Sequence, residues 1–247
     1  MITIKSEAEL DSMRCAGKIV ANVLKELEKI IRPGITTKEL DEFAEEYIIK
    51  NGGIPSFKGL YGYPASICTS VNDEVVHGIP SMRRLESGDI ISIDVGVCVD
   101  GLHADAARTF AVGEISETAK LLIKTTEESF FEGIKNAVAG KRVGDISNSI
   151  QRYVESRGFS VVRDLVGHGI GRKFHESPQV PNFGKAGVGI RLIKNMTLAI
   201  EPMVNEGTFR VYTAEDGWTV KTLDGKLSAH YENTIVITEG LPEIITL

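Results

Sequence analysis

Apolar residues near the start of the chain recur at helical spacing, at Leu10, Met13, Val20, Val23, Leu24, Leu27 and Ile31, the stripe of an amphipathic helix. Ser6 and Glu9 open this helix as a capping box, and Arg32-Pro33-Gly34 stops it. Thr36 and Glu39 repeat the box at once. Leu40, Phe43, Ala44 and Tyr47 supply the buried stripe of a second helix, which Asn51-Gly52-Gly53 ends. From residue 54 to 112 the pattern turns strand-like, with segments 66–71, 89–95 and 108–112 separated by Gly and Pro signals. Helical periodicity returns behind Ser116, a predicted cap, and runs to Ala139-Gly140. Asp145 is expected to cap a further helix ending at Arg157-Gly158. Segments 160–162, 198–200, 219–220 and 234–237 then read as strands.

Helix, helix, strands thus occurs twice. The order predicts an α+β fold of two similar halves, residues about 1–112 and 113–247, each laying a helix pair over antiparallel strands. The 247 residues contain no long linker or low-complexity stretch, so the halves are expected to form one domain on a shared continuous sheet, with a site at their junction. A formal net charge of −6 gives no electrostatic footprint for nucleic acid or an anionic membrane. No segment approaches the roughly 18 uninterrupted apolar residues of a membrane span, and the N-terminus carries neither a basic nor an apolar leader region. Three cysteines, Cys15, Cys68 and Cys98, form no CxxC pair, which suits free thiols in a reducing cytoplasm.

Charge sits where a soluble fold would rather not place it. Asp94, Asp105, His168, Glu201 and Glu232 each lie in or beside an apolar, β-rich run. A buried carboxylate without a partner neutralises, so several in one domain point to shared cations. Val99-Asp100-Gly101-Leu102 is a strong two-residue hairpin signal. Its register sets Gly96 opposite Asp105 and Asp94 opposite Ala107, making Asp94 and Asp105 diagonal neighbours on one face, roughly 7–8 Å apart at Cα. Glu201 follows a strand that Pro202 breaks, and Glu232 interrupts another apolar run. Oxygen-rich ligation with one imidazole suits Mn, Fe, Co or Zn, and four carboxylates balance two such dications. Two adjacent metals would acidify a water and polarise a carbonyl, the logic of assisted hydrolysis. His168 stands in Gly167-His-Gly-Ile-Gly171, whose glycines allow close backbone approach; no helix follows to make it a dinucleotide fingerprint. His77 and His175 lie beside Gly and Pro turns of the kind that border sites.

His77-Gly-Ile-Pro, Asp94 with Asp105, Gly167-His-Gly-Ile-Gly, Phe174-His-Glu, Ala199-Ile-Glu-Pro-Met and Tyr231-Glu-Asn-Thr, with Arg32-Pro-Gly-Ile-Thr-Thr near the start, together resemble the type I methionine aminopeptidases of the pita-bread fold. The resemblance covers nearly the whole chain. It implies a curved, mostly antiparallel sheet, two divalent metal ions (Co, Mn, Fe or Zn) on Asp94, Asp105, His168, Glu201 and Glu232, and removal of an N-terminal methionine from nascent polypeptides when the next residue is small. By the same resemblance Glu201 shuttles protons, His175 contacts the scissile carbonyl and its oxyanion, and His77 hydrogen-bonds the following amide. Tyr63, Cys68, Phe174 and Trp218, with Phe57, line the methionine pocket. The resemblance further implies a cytoplasmic monomer and is compatible with ribosome association. The stretch between His168 and Glu201 leaves no room for the helical insertion of type II relatives.

Two other readings share these motifs in part. A non-catalytic pita-bread binding module is opposed by the presence of all five ligand types, and an Xaa-Pro aminopeptidase is separable by its substrates.

Overall fold

A computed structural model describes residues 2–247. Its first half runs α1 (Glu7–Ile30), α2 (Thr37–Lys50), β1 (Ile54–Pro55), a 3-10 turn (Leu60–Gly62), β2 (Cys68–Val71), β3 (Glu74–Val76), β4 (Ile90–Val99) and β5 (Leu102–Ala111). The second begins with α3 (Glu117–Ile134), α4 (Val143–Ser156), β6 (Ser160–Val161), β7 (Gly167–Gly169), β8 (Glu176–Val180), β9 (Thr197–Ile200) and β10 (Met203–Asn205). It ends with β11 (Val211–Thr213), β12 (Val220–Thr222), β13 (Ser228–His230), β14 (Asn233–Val236) and β15 (Glu243–Ile244). The expected α+β order of two helix pairs, each followed by antiparallel strands, is the order observed.

Both capping boxes form as expected: Glu9 Oε2 accepts from Ser6 N at 2.8 Å, and Glu39 Oε2 from Thr36 N at 2.7 Å. Helix α1 buries Leu10, Met13, Val20, Val23, Leu24 and Leu27 against β4 and β5. Each such side chain contributes about 1.5–3 kcal/mol on leaving water, so packing rather than propensity holds the helix, and Leu27→Ala would cost about 2–5 kcal/mol. A second core joins α3 and α4 to β9 and β14 through Phe130, Ile146, Ile150, Leu198 and Ile235. The cores interlock, because Ile170, Phe174, Val236 and Ile245 from the second half pack into the first. Among the described residues no helix is long and apolar enough to cross a membrane.

Four local expectations need correction. Helix α3 ends at Ile134 rather than Ala139, because the backbone at Val138 and Ala139 bonds instead to Thr238 (Ala139 N to Thr238 O, 3.0 Å). Asp145 is not the cap of α4 but its third residue, reaching back to the Arg142 N–H at 2.8 Å. Strand β2 starts at Cys68 rather than residue 66, since the Ser66 and Ile67 amides are taken by buried Asp41 Oδ1 at 2.8 and 3.2 Å. The sheet is not one continuous ladder. Strands β1, β2, β4 and β5 form one sheet and β7, β8, β9, β14 and β15 another, β6, β10 and β13 form a third, and β3 crosses between the halves to pair with β12 beside β11. At the junction Ala107 and Glu232 exchange two backbone hydrogen bonds, 2.9 and 3.3 Å. There the Arg108 guanidinium takes the Ala107 and Glu232 carbonyls at 2.8 and 2.5 Å, which adds a side-chain anchor where the ladder stops.

Candidate metal centre

The hairpin register is the expected one: Val99 faces Leu102, Gly96 faces Asp105 and Asp94 faces Ala107. Asp100 (φ 52) and Gly101 (φ 75) both occupy the left-handed region, the backbone that a two-residue hairpin turn demands. Asp94 and Asp105 therefore project from one face of the β4–β5 pair. Glu201 lies in the break between β9 and β10, which Pro202 enforces, and Glu232 lies between β13 and β14. Thr234 fixes the aspartate strand to β14, its hydroxyl accepting from Asp105 N and donating to Asp105 O, both at 2.9 Å.

His168 reaches the same place from β7, which is squeezed between two neighbours. A Cβ on Gly167 would stand 2.4 Å from Ala199 O, and one on Gly169 2.3 Å from Ser177 O. Only glycine permits that approach. The His168 Nδ1–H donates to Gly169 O at 2.8 Å, so Nε2 carries the lone pair. That nitrogen lies 3.6 Å from Glu201 Oε1.

Two overlapping groups of ligand atoms result. One atom each from Asp105, His168 and Glu232 lie within 4.8 Å of one another, as do atoms from Asp94, His230 and Glu232. His230 Nε2 also stands 3.7 Å from Glu232 Oε2 and 4.0 Å from Glu201 Oε2.

The electrostatics of this cluster do not balance within the protein. Burial lifts the Asp94 carboxyl to about 7. Burial, then Glu232, Asp94 and Glu201, hold Asp105 well above the ordinary carboxylate range. Glu201 is raised by burial and Asp94, and Glu232 by burial, Glu201 and Asp94. Burial pushes His168 down to about 4 and His230 to about 3. Buried atoms Asp94 Oδ1, Asp105 Oδ1, Glu232 Oε1 and His230 Nε2 have no hydrogen-bond partner. Crowded carboxylate lone pairs beside a neutral imidazole, aimed at one point and lacking donors, are what polyvalent cations satisfy. The donor set fits divalent metal ions.

A cavity of about 180 Å³ opens onto the cluster. Phe57, Tyr63, Cys68, Phe174 and Trp218 all line it. Phe57 meets Phe174 and Tyr63 edge to face at 5.2 and 6.5 Å, and Tyr63 meets Trp218 at 5.1 Å. Gly96 lets two of these rings lie over β4, since a Cβ there would stand 2.8 Å from both Phe57 and Phe174. The Tyr63 hydroxyl donates to Gly78 O at 2.9 Å. His77, in the left-handed region at φ 61, and His175 complete the cavity wall, and burial lowers both below the usual histidine value, His77 to about 4. Every residue singled out from sequence lies in this one place.

Sequence reasoning missed His230, Tyr61 and Thr234, and the apolar lining of Val76, Leu165 and Met203. Only His230 carried a local signal, a titratable residue inside the apolar run that contains Glu232.

Residues 11–239 match metallopeptidase family M24. The methionine aminopeptidase of Clostridium perfringens is 63% identical over 247 residues, spanning 100% of this chain and 99% of that protein. Methionine aminopeptidase 1 of Bacillus subtilis is 54% identical over 246 residues, spanning 100% of this chain and 99% of its own length. The crystal structure of methionine aminopeptidase from Thermotoga maritima is similar with a TM-score of 0.98 at 50% identity, over 100% of this chain and 99% of that one. The X-Pro aminopeptidase of Thermotoga maritima shares the fold, with a TM-score of 0.77 at 24% identity over 99% of this chain and 62% of that one.

Proposed function

The chain belongs to metallopeptidase family M24 and within it to the methionine aminopeptidases, and from that premise we propose how its residues remove the initiator methionine of a polypeptide whose next residue is small. The metal-dependent aminopeptidase activity goes with the pita-bread fold and family. Asp94, Asp105, His168, Glu201 and Glu232 are the ligands in this proposal, and their four carboxylates balance two dications of Co, Mn, Fe or Zn. The carrying observation is the pair of overlapping groups that share Glu232: they hold four of these five residues together with His230, carry lone pairs no protein donor meets, and have Glu201 Oε1 standing 3.6 Å from His168 Nε2. Bound divalent cations supply Lewis acidity, lowering the pKa of a water and polarising the peptide carbonyl.

The chain's own residues do the rest. Phe57, Tyr63, Cys68, Phe174 and Trp218 hold the unbranched thioether side chain, to which soft and aromatic surfaces suit. Glu201 takes a proton at its carboxylate from the water that attacks the peptide carbon, and returns it to the amine nitrogen as the C–N bond breaks. His175 donates to the scissile carbonyl oxygen, a contact that strengthens as the oxygen gains charge. His77 hydrogen-bonds the amide that follows the cleaved bond and so positions the peptide. The reading extends to a single catalytic domain acting as a cytoplasmic monomer, compatible with ribosome association, and three free cysteines accord with a reducing compartment.

Turnover of Met-Ala-Ser, Met-Leu-Ser and Ala-Pro-Ala by the metal-loaded protein tests this. Rapid methionine release from the first alone is expected. Preferred cleavage of Ala-Pro-Ala would move the chain to the Xaa-Pro peptidases, and no cleavage of any peptide would leave a binding module.

A further inference from the structure

Tyr61 is a large, mostly exposed ring held at φ 53 and ψ 17, a backbone region that bulky residues rarely adopt. Its loop, with Gly59 and Gly62 at φ 87 and 90, borders the cavity over the metal centre. The ring lies nearly parallel to the His175 imidazole, with centroids 5.8 Å apart and planes at 11°. Its hydroxyl is 3.4 Å from His175 Nδ1. Among the described residues no other side chain or backbone group hydrogen-bonds that imidazole. Strain kept on an exposed residue at a cleft points to a use there rather than to packing.

The neighbouring imidazole supplies the contrast. His168 and His175 have ring centroids 4.4 Å apart, yet their Nδ1 atoms face different partners. At His168 the partner is a carbonyl, which only accepts, so Nδ1 carries hydrogen and Nε2 a lone pair. At His175 the partner is a hydroxyl, which can donate.

We propose that Tyr61 is a positioning residue: its O–H donates to His175 Nδ1 and its ring sets the tilt of the imidazole, so that Nε2–H points at the substrate carbonyl. This rests on the reading of His175 as the carbonyl donor. A neutral imidazole has one donor and one acceptor, and substrate needs the donor; the tyrosine fixes which nitrogen provides it. Two adjacent histidines are thereby set to opposite tautomers, one to bind a cation and one to give a hydrogen bond.

Two variants separate the parts. Tyr61→Phe keeps the stack and removes the O–H, whereas Tyr61→Ala removes both; neither touches the core. Nitrogen-15 NMR of histidine-labelled, metal-free protein reads the His175 tautomer without any catalysis. Wild type should show hydrogen on Nε2, and Tyr61→Phe a mixture of tautomers. With metal restored, Tyr61→Phe should lower kcat on Met-Ala-Ser about 3- to 10-fold, the effect of one neutral hydrogen bond, with KM and bound metal unchanged. Tyr61→Ala should fall further. An unchanged tautomer and unchanged kcat in both variants, while His175→Ala is impaired, overturns this inference alone. Full kcat in His175→Ala overturns it together with the role given to His175.

Discussion

Asp94→Asn removes one charge from the cluster and changes the shape of the side chain little. In the metal-free protein the Asp94 carboxyl is lifted from its ordinary 3.8 to about 7, chiefly by burial. A raised carboxyl contributes stability that is fully present below the unfolded value, near pH 4, and is lost as pH rises through the folded value, near pH 7. At pH 8 the wild-type charge therefore costs the metal-free fold up to about 4 kcal/mol. The amide has its own burial cost, so the variant should gain about 2–4 kcal/mol there, or a rise of roughly 5–15 °C in Tm for a chain of this length. Near pH 4 the two proteins should unfold together. Saturating metal narrows the gap, since a cation at a thousand times its Kd stabilises the native state by about 4.1 kcal/mol and the variant binds it less well. Thermal unfolding of both proteins at pH 4 and pH 8, chelated and with Mn added, reads all of this. Equal Tm values for the chelated proteins at pH 8, or equal Mn-induced shifts, would refute the argument that Asp94 is an unpaired buried charge awaiting a cation.

His77→Ala and His175→Ala should retain metal, and His175→Ala should lose about 10²–10³ in kcat, the usual cost of an oxyanion donor; metal loss from either, measured by elemental analysis, would make that residue a ligand instead. Thr234→Val deletes both hydrogen bonds to the Asp105 backbone and should cost about 1–3 kcal/mol in urea unfolding, with weaker Mn binding by calorimetry; an unchanged midpoint would show that Thr234 does not anchor the aspartate. Gly96→Ala forces a methyl to within 2.8 Å of Phe57 and Phe174, so the cavity should narrow and KM for Met-Ala-Ser rise, at an overpacking cost of about 1–3 kcal/mol. Unaltered KM would place methionine elsewhere.

The β4–β5 hairpin was legible because its turn chemistry is local: Asp100 and Gly101 fix the register, and the register fixes which residues share a face. The glycines beside His168 were legible for the same reason, although the atoms they accommodate, Ala199 O and Ser177 O, come from distant segments. What periodicity could not show was competition for backbone groups by far-off partners. Thr238 ends α3 early and Asp41 delays β2. The broken sheet at Ala107 and Glu232 is of the same kind, with Arg108 in a place no local pattern assigns. Tyr61 escaped because a left-handed tyrosine has no propensity signal; only the stack on His175 reveals its position.

Methionine release from Met-Ala-Ser by thoroughly demetallated protein, followed as Mn is titrated in, bears most directly on the claim that the cluster of Asp94, Asp105, His168, Glu201 and Glu232 works through divalent cations. No release is expected without metal, then a rise with each increment of Mn and a plateau once the ligands are saturated. Full activity in the demetallated protein, indifferent to added Mn, would contradict it.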